Sequence, residues 1–385
     1  MTESTLCACH GDALSGDGFP ADIDGFPARF RAPGSLYTGN PLKLRDRRPD
    51  ISGIPVANAS GMPKTRSFNP RGRFRSILCP VDFSAHSAVA LKYAAIIARR
   101  SAGRLHVLHV NDPLLATAAA VAFADQDYAK VALDELRLFV ARALPAGTKG
   151  IIIRCSVDTG DATRMIAAAA KRLRCDLIVM GTHGLSGVEK VLLGSTTERM
   201  LRRSSLPVLA VPPTPSIATN GHTPGRRWPG TAIMVPVDLR RESTRDIKDA
   251  EEIARGLGTG LVLIHVVPPV QAPPWFRADL SAHWRMQTTS ARHQLEALER
   301  TVGPGINTEI QVATGRPADE IAAAAAEGRI GLVVMHRRKG PGWFGSRAGS
   351  IASGVLRHAF TPILLMPDRA VDRRQLTRDR LRATA

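Results

Sequence analysis

One glycine-rich segment offers backbone groups that can hold a phosphate. Residues 181–197 read GTHGLSGVEKVLLGSTT, and Gly181, Gly184, Gly194 and Ser195 have the spacing G-x2-G-x9-G-S. Glycine permits a positive φ and lets backbone N–H groups come close to a polyphosphate. A helix predicted to begin near Ser195 adds unsatisfied N–H donors and a dipole that favours anions. The segment therefore predicts phosphate binding, with a surface loop that binds nothing as the alternative.

The elements that must position this segment alternate between strand and helix. Apolar, β-branched runs predict strands, and they read RSILCPVD (75–82), RLHVLHV (104–110), IIIRCSV (151–157), DLIVM (176–180) and PVLAVP (207–212). Helical spacing of apolar residues predicts helices over 84–102, about 125–143, and 162–173, with a short one after Gly194. Continuous apolar strands that alternate with helices indicate a parallel sheet covered on both faces.

The whole pattern occurs twice. TAIMVPVD (231–238) corresponds to RSILCPVD, and TPILLMP (361–367) corresponds to LPVLAVP. Asp238 lies 156 positions after Asp82, and Ser350 lies 155 positions after Ser195, so the register slips by only one residue. Such self-similarity indicates a duplicated unit.

Composition divides the chain into five predicted regions. Residues 1–72 are rich in Gly, Pro and Ser without sustained periodicity, which predicts a flexible extension. The first repeat predicts a domain at 73–213, a Pro/Gly/Thr-rich linker follows at 214–229, and the second repeat predicts a domain at 230–367. Residues 368–385 form an Arg-rich tail.

The net charge of +18 raises the question of a nucleic-acid partner. The basic residues are spread along the chain, and aromatic residues make up only 5% of it. Base-stacking surfaces need aromatic side chains. We therefore favour a solvated basic surface, with a nucleic-acid-binding protein as the alternative.

Several features indicate a cytoplasmic protein. The first residues, MTESTLCACHGDALSGDG, show no basic segment followed by an apolar one, and no apolar run is long enough to span a bilayer. Cys79 and Cys155 lie in predicted strands, as small core residues do in a reducing compartment. CysAlaCysHis (7–10) has no second Cys/His pair nearby, so no metal site is predicted.

Taken together, the motifs resemble the universal stress protein family. They are PVDFS (80–84), LHV (108–110), the VMGTHG and GST segments within 179–196, and LPVLAVP (206–212), and the resemblance covers 73–367. It implies an α/β fold of two tandem Rossmann-like domains, each a five-stranded parallel sheet of order 3-2-1-4-5 with helices on both faces. In the ATP-binding branch it also implies a nucleotide across the carboxyl ends of the strands, where a doubly wound sheet has its crevice.

Carried over by position, the resemblance implies a nucleotide site in the first half. Asp82 and Val110 would contact the adenosine end, with Pro80 and Val81 beside them. The ribose and phosphates would be held by Gly181, Thr182, His183, Gly184, Gly194, Ser195 and Thr196. For Asp82 the alternative is a role in capping the helix that begins near Ser84. For His183 the alternative is a solvent-exposed imidazole that contacts no phosphate. His109 and His265, inside apolar strands, are given no chemistry.

The second half departs from the pattern. Aligned without gaps, Gly181 becomes His336 and Gly184 becomes Lys339, and only the Gly-Ser pair survives as Gly349-Ser350. The cations at 336–339 can hold an anion. The alternative, which we favour, is a lapsed site kept as a packing partner.

No local signature predicts a catalytic residue, a Walker-type lysine or a metal-binding acidic pair. This absence favours a binding role, and the resemblance implies an ATP-binding, nucleotide-dependent signalling module of the stress response, with or without Mg2+. Slow ATP hydrolysis stays open, as do an enzyme of the wider adenine-binding α-hydrolase group and an interaction protein that binds no nucleotide. The expected contacts are between the two halves through their last strands, with a homodimer and an unknown protein partner also open, and no membrane.

Overall fold

The computed structural model describes most of the two repeats. The described residues are 73–122, 128–145, 150–182, 193–213, 228–239, 243–270, 273, 275, 279–327, 329–337 and 351–367. The predicted extension at 1–72 and the tail at 368–385 lie outside them, as does most of the predicted linker.

Each half alternates strands and helices. The first half has β1 (Ser76–Val81), α1 (Ala85–Arg100), β2 (Arg104–Asn111), α2 (Pro113–Ala122), α3 (Tyr128–Ala143), β3 (Ile152–Thr159), α4 (Ala162–Arg172), β4 (Leu177–Gly181), α5 (Ser195–Arg203) and β5 (Val208–Val211). The second has β6 (Ala232–Pro236), α6 (Thr244–Leu257), β7 (Gly260–Val267), α7 (Ser281–Glu299), β8 (Thr308–Thr314), α8 (Pro317–Ala325), β9 (Ile330–His336), α9 (Ile351–His358) and β10 (Ile363–Met366).

The strands join into one ten-stranded sheet. Its order is β3-β2-β1-β4-β5-β10-β9-β6-β7-β8, so each half has the predicted order 3-2-1-4-5. Within a half every pairing between strands is parallel. The halves meet where β5 and β10 pair antiparallel, with Leu209 opposite Leu364. The predicted fold class is confirmed.

The central strands are mainly apolar because both faces of the sheet are covered there, whereas the edge strands β3 and β8 carry residues such as Arg154 and Glu309. In β1 the side chains of Ile77 and Cys79 lie in one core and that of Leu78 lies in the other, as the alternation of a strand requires. The first core takes helices α1, α3, α6 and α7, and the second takes α4, α5, α8 and α9. Burial on both sides removes the polar alternation of a half-exposed strand.

One helix was not predicted from the sequence. The helix predicted at about 125–143 corresponds to α3, and α2 precedes it as a separate helix. Asp112 starts α2, since its Oδ1 accepts hydrogen bonds from Leu114 N at 2.7 Å and from Leu115 N, while Pro113 suits a first helical position. The uniformly apolar run from 113 to 122 carries no 3.6-residue pattern, and Leu114 is largely exposed.

Side chains also join the two halves on the face that carries α1 and α6. Arg73 forms an ion pair with Asp249 at 2.9 Å. Arg100 Nη1 donates to the carbonyl oxygen of Leu257 at 2.8 Å, at the end of α6. The rings of Tyr93 and Trp228 meet edge to face, with centroids 5.2 Å apart.

Candidate functional site

A crevice of about 340 Å³ opens at the carboxyl ends of β1, β2 and β4. The strand order reverses between β1 and β4, which is the switch point where open α/β sheets bind ligands. Most of the predicted site residues line it, namely Pro80, Val81, Asp82, Val110, Gly181, Gly194, Ser195 and Thr196. Thr182 is buried beside them, and His183 and Gly184 lie outside the described residues.

The β1 end of the crevice is built around Asp82 and the start of α1. Ser84 is the N-cap, because its Oγ accepts a hydrogen bond from Ser87 N at 3.1 Å. Asp82 Oδ1 in turn accepts from Ser84 N at 3.1 Å and from Ser84 Oγ at 2.6 Å. Asp82 therefore orients the capping serine and is not itself the cap, which leaves its carboxylate at the crevice wall.

The neighbouring strand end is fixed by a histidine. His109 Nδ1 lies 2.9 Å from the carbonyl oxygen of Val81, which can only accept, so Nδ1 donates. Its ring packs on Phe83, with centroids 4.4 Å apart. His109 thereby ties β2 to β1 and sets the position of Val110 next to it.

Asn111, the next residue, was not singled out in the sequence. It is 2% exposed, and within the part of the chain that the structure describes neither its amide nitrogen nor its amide oxygen has a hydrogen-bond partner. An unpaired buried polar group costs about 1–3 kcal/mol. A comparison of the two repeats marks Asn111, because the second half has the apolar residue Val267 at the corresponding position.

The β4 side of the crevice consists of backbone groups. Gly181 ends β4, and its carbonyl oxygen accepts a hydrogen bond from Thr197 Oγ1 at 2.7 Å. The next residue, Thr182, accepts at its carbonyl oxygen from Gly194 N at 2.7 Å. These two bonds hold the strand end against the start of α5, so Thr197 belongs to the site although the sequence did not mark it.

The first turn of α5 presents its N–H groups at the crevice. Gly194 is the N-cap, and with no side chain it makes no capping hydrogen bond. The first N–H groups of a helix have no partner within the helix, and the helix dipole favours an anion there. Asp82 is the one charged residue among the described residues that line the crevice, so the donors available there to an anion are backbone N–H groups and hydroxyl groups such as those of Ser195 and Thr196.

The expectation that the glycines adopt a positive φ is wrong for Gly181 and Gly194. Gly194 has φ −55° and ψ 134°, which any residue can adopt, and Gly181 lies in a strand. Neither uses a positive φ. The advantage of glycine at these two positions is the missing Cβ, which lets a ligand approach the backbone.

Comparison with known proteins identifies this architecture. The model of the family described as the universal stress protein family matches residues 73–212 and again 231–367. The chain belongs to this family.

One relative and one solved structure match this chain across more than one repeat. A universal stress protein of Mycolicibacterium smegmatis is 26% identical over 305 residues, covering 76% of this chain and 97% of the relative. A solved protein of unknown function from Pseudomonas aeruginosa is 21% identical, covers 78% of this chain and 94% of its own, and has a TM-score of 0.53, which shows the shared fold. A universal stress protein solved in complex with cAMP is 28% identical, covers 36% of this chain and 97% of its own, and has a TM-score of 0.28.

In this universal stress protein the described basic side chains at this place in the second half contact other residues of the protein. His336, at the position of Gly181, lies 3.1 Å from Asp249 Oδ2 through Nε2 and 3.6 Å from Asp246 Oδ1 through Nδ1, with about 10% of its side chain exposed. Arg337 Nη1 donates to the carbonyl oxygens of Arg202 and Leu201. These contacts favour the lapsed site over an anion site. Arg338, Lys339, Gly349 and Ser350 lie outside the described residues.

Within the part of the chain that the structure describes, no helix combines the length and apolar character needed to cross a membrane.

Proposed function

We propose that this chain is an ATP-binding universal stress protein that holds one nucleotide in its first half and acts in the cytoplasm as a nucleotide-dependent signalling module of the stress response. One observation carries the proposal. The crevice at the switch point brings together the carboxylate of Asp82, the strand end at Val110 and the uncapped first turn of α5. These groups come from three separate segments of the chain.

The proposed pose follows from the chemistry of the two sides. The nucleoside lies against Val110 and Asp82, whose carboxylate accepts hydrogen bonds from hydroxyl or amino groups. The phosphates lie at Gly181 and the first turn of α5, where backbone N–H groups and the helix dipole favour negative charge. Hydrogen bonds to a charged group contribute about 1.5–3 kcal/mol each, so a few of them support micromolar affinity.

The proposal is a binding function, with slow hydrolysis as the second candidate. The described lining contains no Lys, no Arg and no second carboxylate beside Asp82. Phosphoryl transfer relies on such groups, or on metal ions, to stabilise charge in the transition state. Bound ATP would then act by favouring one conformation or one partner of the protein.

Calorimetric titration with ATP tests the proposal. We expect a stoichiometry near one per chain. Asp82→Ala should weaken binding at least about 100-fold, which corresponds to about 2.7 kcal/mol. Asp238→Ala, the matched change in the second half, should leave the affinity unchanged, and circular dichroism checks that both variants fold. A stoichiometry of two, equal losses in both variants, or no binding by the unaltered chain would each contradict the proposal.

A further inference from the structure

One arginine of the second half holds a helix of the first. Arg337 follows β9, and its Nη1 donates to the carbonyl oxygen of Arg202 at 3.0 Å and to that of Leu201 at 3.4 Å. The two acceptors lie in the last turn of α5, where carbonyl groups have no partner within the helix. A cation there also complements the negative end of the helix dipole.

The other end of the same helix forms the crevice. Ser195 and Thr196 line the crevice at the start of α5, and Thr197 ties that end to β4. Nine helical residues extend about 13 Å, and Met200 and Leu201 are almost fully buried. Because a short, packed helix moves as a rigid unit, a contact that fixes its C-terminal end also affects the direction of the N–H groups at its N-terminal end.

Comparing the two halves shows how specific this contact is. Thr182 and Arg337 occupy corresponding positions, and each backbone N–H donates to the last strand of its own half, at 2.9 Å to Val211 O and 2.8 Å to Met366 O. The backbone therefore has one arrangement in both halves. The side chains differ, because Thr182 is buried beside the crevice while Arg337 extends across to α5.

We propose that Arg337 is a positioning residue for the nucleotide site of the other half. It fixes the C-terminal end of α5, keeps the first-turn N–H groups directed at the crevice, and links nucleotide occupancy to β9 and β10. The inference rests on the proposed function, since it assigns part of the ATP affinity to a residue that touches no ligand.

ATP titration of Arg337 variants tests this role. Arg337→Ala should weaken ATP binding about fivefold or more, the lower end of coupling between distant sites. Arg337→Lys should recover part of the loss, because an ammonium group can donate to the same carbonyls. Arg100→Ala is the matched control, since Arg100 donates to Leu257 O at 2.8 Å and so joins the halves at a different helix, α6.

The control separates positioning from stability. Both alanine variants remove an arginine–carbonyl contact between the halves, so both should melt at a slightly lower temperature. Only Arg337→Ala should weaken ATP binding. Hydrogen exchange gives a second readout: ATP should slow exchange in β9 and β10 of the unaltered chain and lose this effect in Arg337→Ala.

The outcomes are distinct. Unaltered affinity in Arg337→Ala, or an equal loss of affinity in Arg100→Ala, would overturn the positioning role while leaving the proposed function intact. Absence of ATP binding by the unaltered chain would overturn the proposed function and this inference with it.

Discussion

The two halves keep the same strand ends but differ on the loop side of the crevice. Pro-Val-Asp ends both first strands, and His265 Nδ1 lies 2.8 Å from Val237 O just as His109 lies 2.9 Å from Val81 O. This arrangement has the same structural task in each half, which is to tie two neighbouring strands together. Its presence is therefore weak evidence for a nucleotide.

The loop side discriminates between the halves. Gly181, Thr182, Thr196 and Thr197 are replaced by His336, Arg337, Ile351 and Ala352. Each replacement removes a small or hydroxyl-bearing residue from the side where phosphates would lie. Binding capacity can thus be lost by changes in one loop while the sheet that presents it stays intact.

In the second half, the residue at the position of Gly181 makes a structural contact. His336 is held by Asp249 and Asp246 of α6, and Asp249 also pairs with Arg73. At the position of Asp249 the first half has Tyr93, whose burial raises the pKa of its hydroxyl to about 12. The two halves thus place different side chains at this helix position, an aspartate that pairs with Arg73 and His336 in the second half and a tyrosine in the first.

The largest effect is expected from Asp249→Ala. The change leaves the half-buried side chains of Arg73 and His336 without their shared carboxylate, and because Glu252 still pairs with Arg73 the cost is about 3 kcal/mol, the lower end for breaking a buried ion pair. The free energy of unfolding, measured with urea, should fall accordingly, while the ATP affinity of the first half should not change. This would separate the structural cluster of the second half from the site of the first.

Glu252→Ala is the control, because Glu252 also pairs with Arg73 but is 61% exposed. It should cost at most about 1 kcal/mol. A large loss of ATP affinity in Asp249→Ala would mean that the cluster is part of the nucleotide site, and the contrast between the halves would fail.

A smaller effect is expected from Thr197→Ala, which copies Ala352 into the first half. The change removes the hydrogen bond to Gly181 O that joins β4 to α5. ATP affinity should fall about tenfold, equivalent to about 1.4 kcal/mol. Thr197→Ser keeps the hydroxyl and should bind nearly as well as the unaltered chain. Calorimetry decides, and full affinity in Thr197→Ala would show that the bond does not position the site.

Much of this molecule could be predicted from local patterns. Apolar runs and helical spacing predicted the strands and the duplication, whereas the strand order came from the family resemblance, which also supplied eight of the residues that line the crevice. What the sequence did not show are contacts between distant segments. Asp249 and His336 are 87 residues apart, and Arg337 and Arg202 are 135 apart. No periodicity or spacing marks such pairs, because only the folded sheet brings them together.

The smallest effect is expected from Asn111→Val, which copies Val267 into the first half. Neither polar atom of the Asn111 amide has a partner among the described residues, and Asn111 is 2% exposed. Replacing an unpaired buried polar group by an apolar one of similar size should stabilise the chain, by about 1 kcal/mol. The reverse change, Val267→Asn, should destabilise it by about 1–3 kcal/mol. Urea unfolding without nucleotide measures both.

ATP affinity then places the amide relative to the site. His109 and Val110 both line the crevice, but Asn111 is not among the described residues that line it, so its amide is expected to lie away from the nucleotide. Asn111→Val should therefore leave the affinity unchanged. If the variant is more stable but binds ATP more weakly, the unpaired amide is kept for the nucleotide, and the two halves differ at the strand ends as well as in the loop. If Asn111→Val is less stable than the unaltered chain, the Asn111 amide has a hydrogen-bond partner in the folded protein, and the stability prediction is wrong.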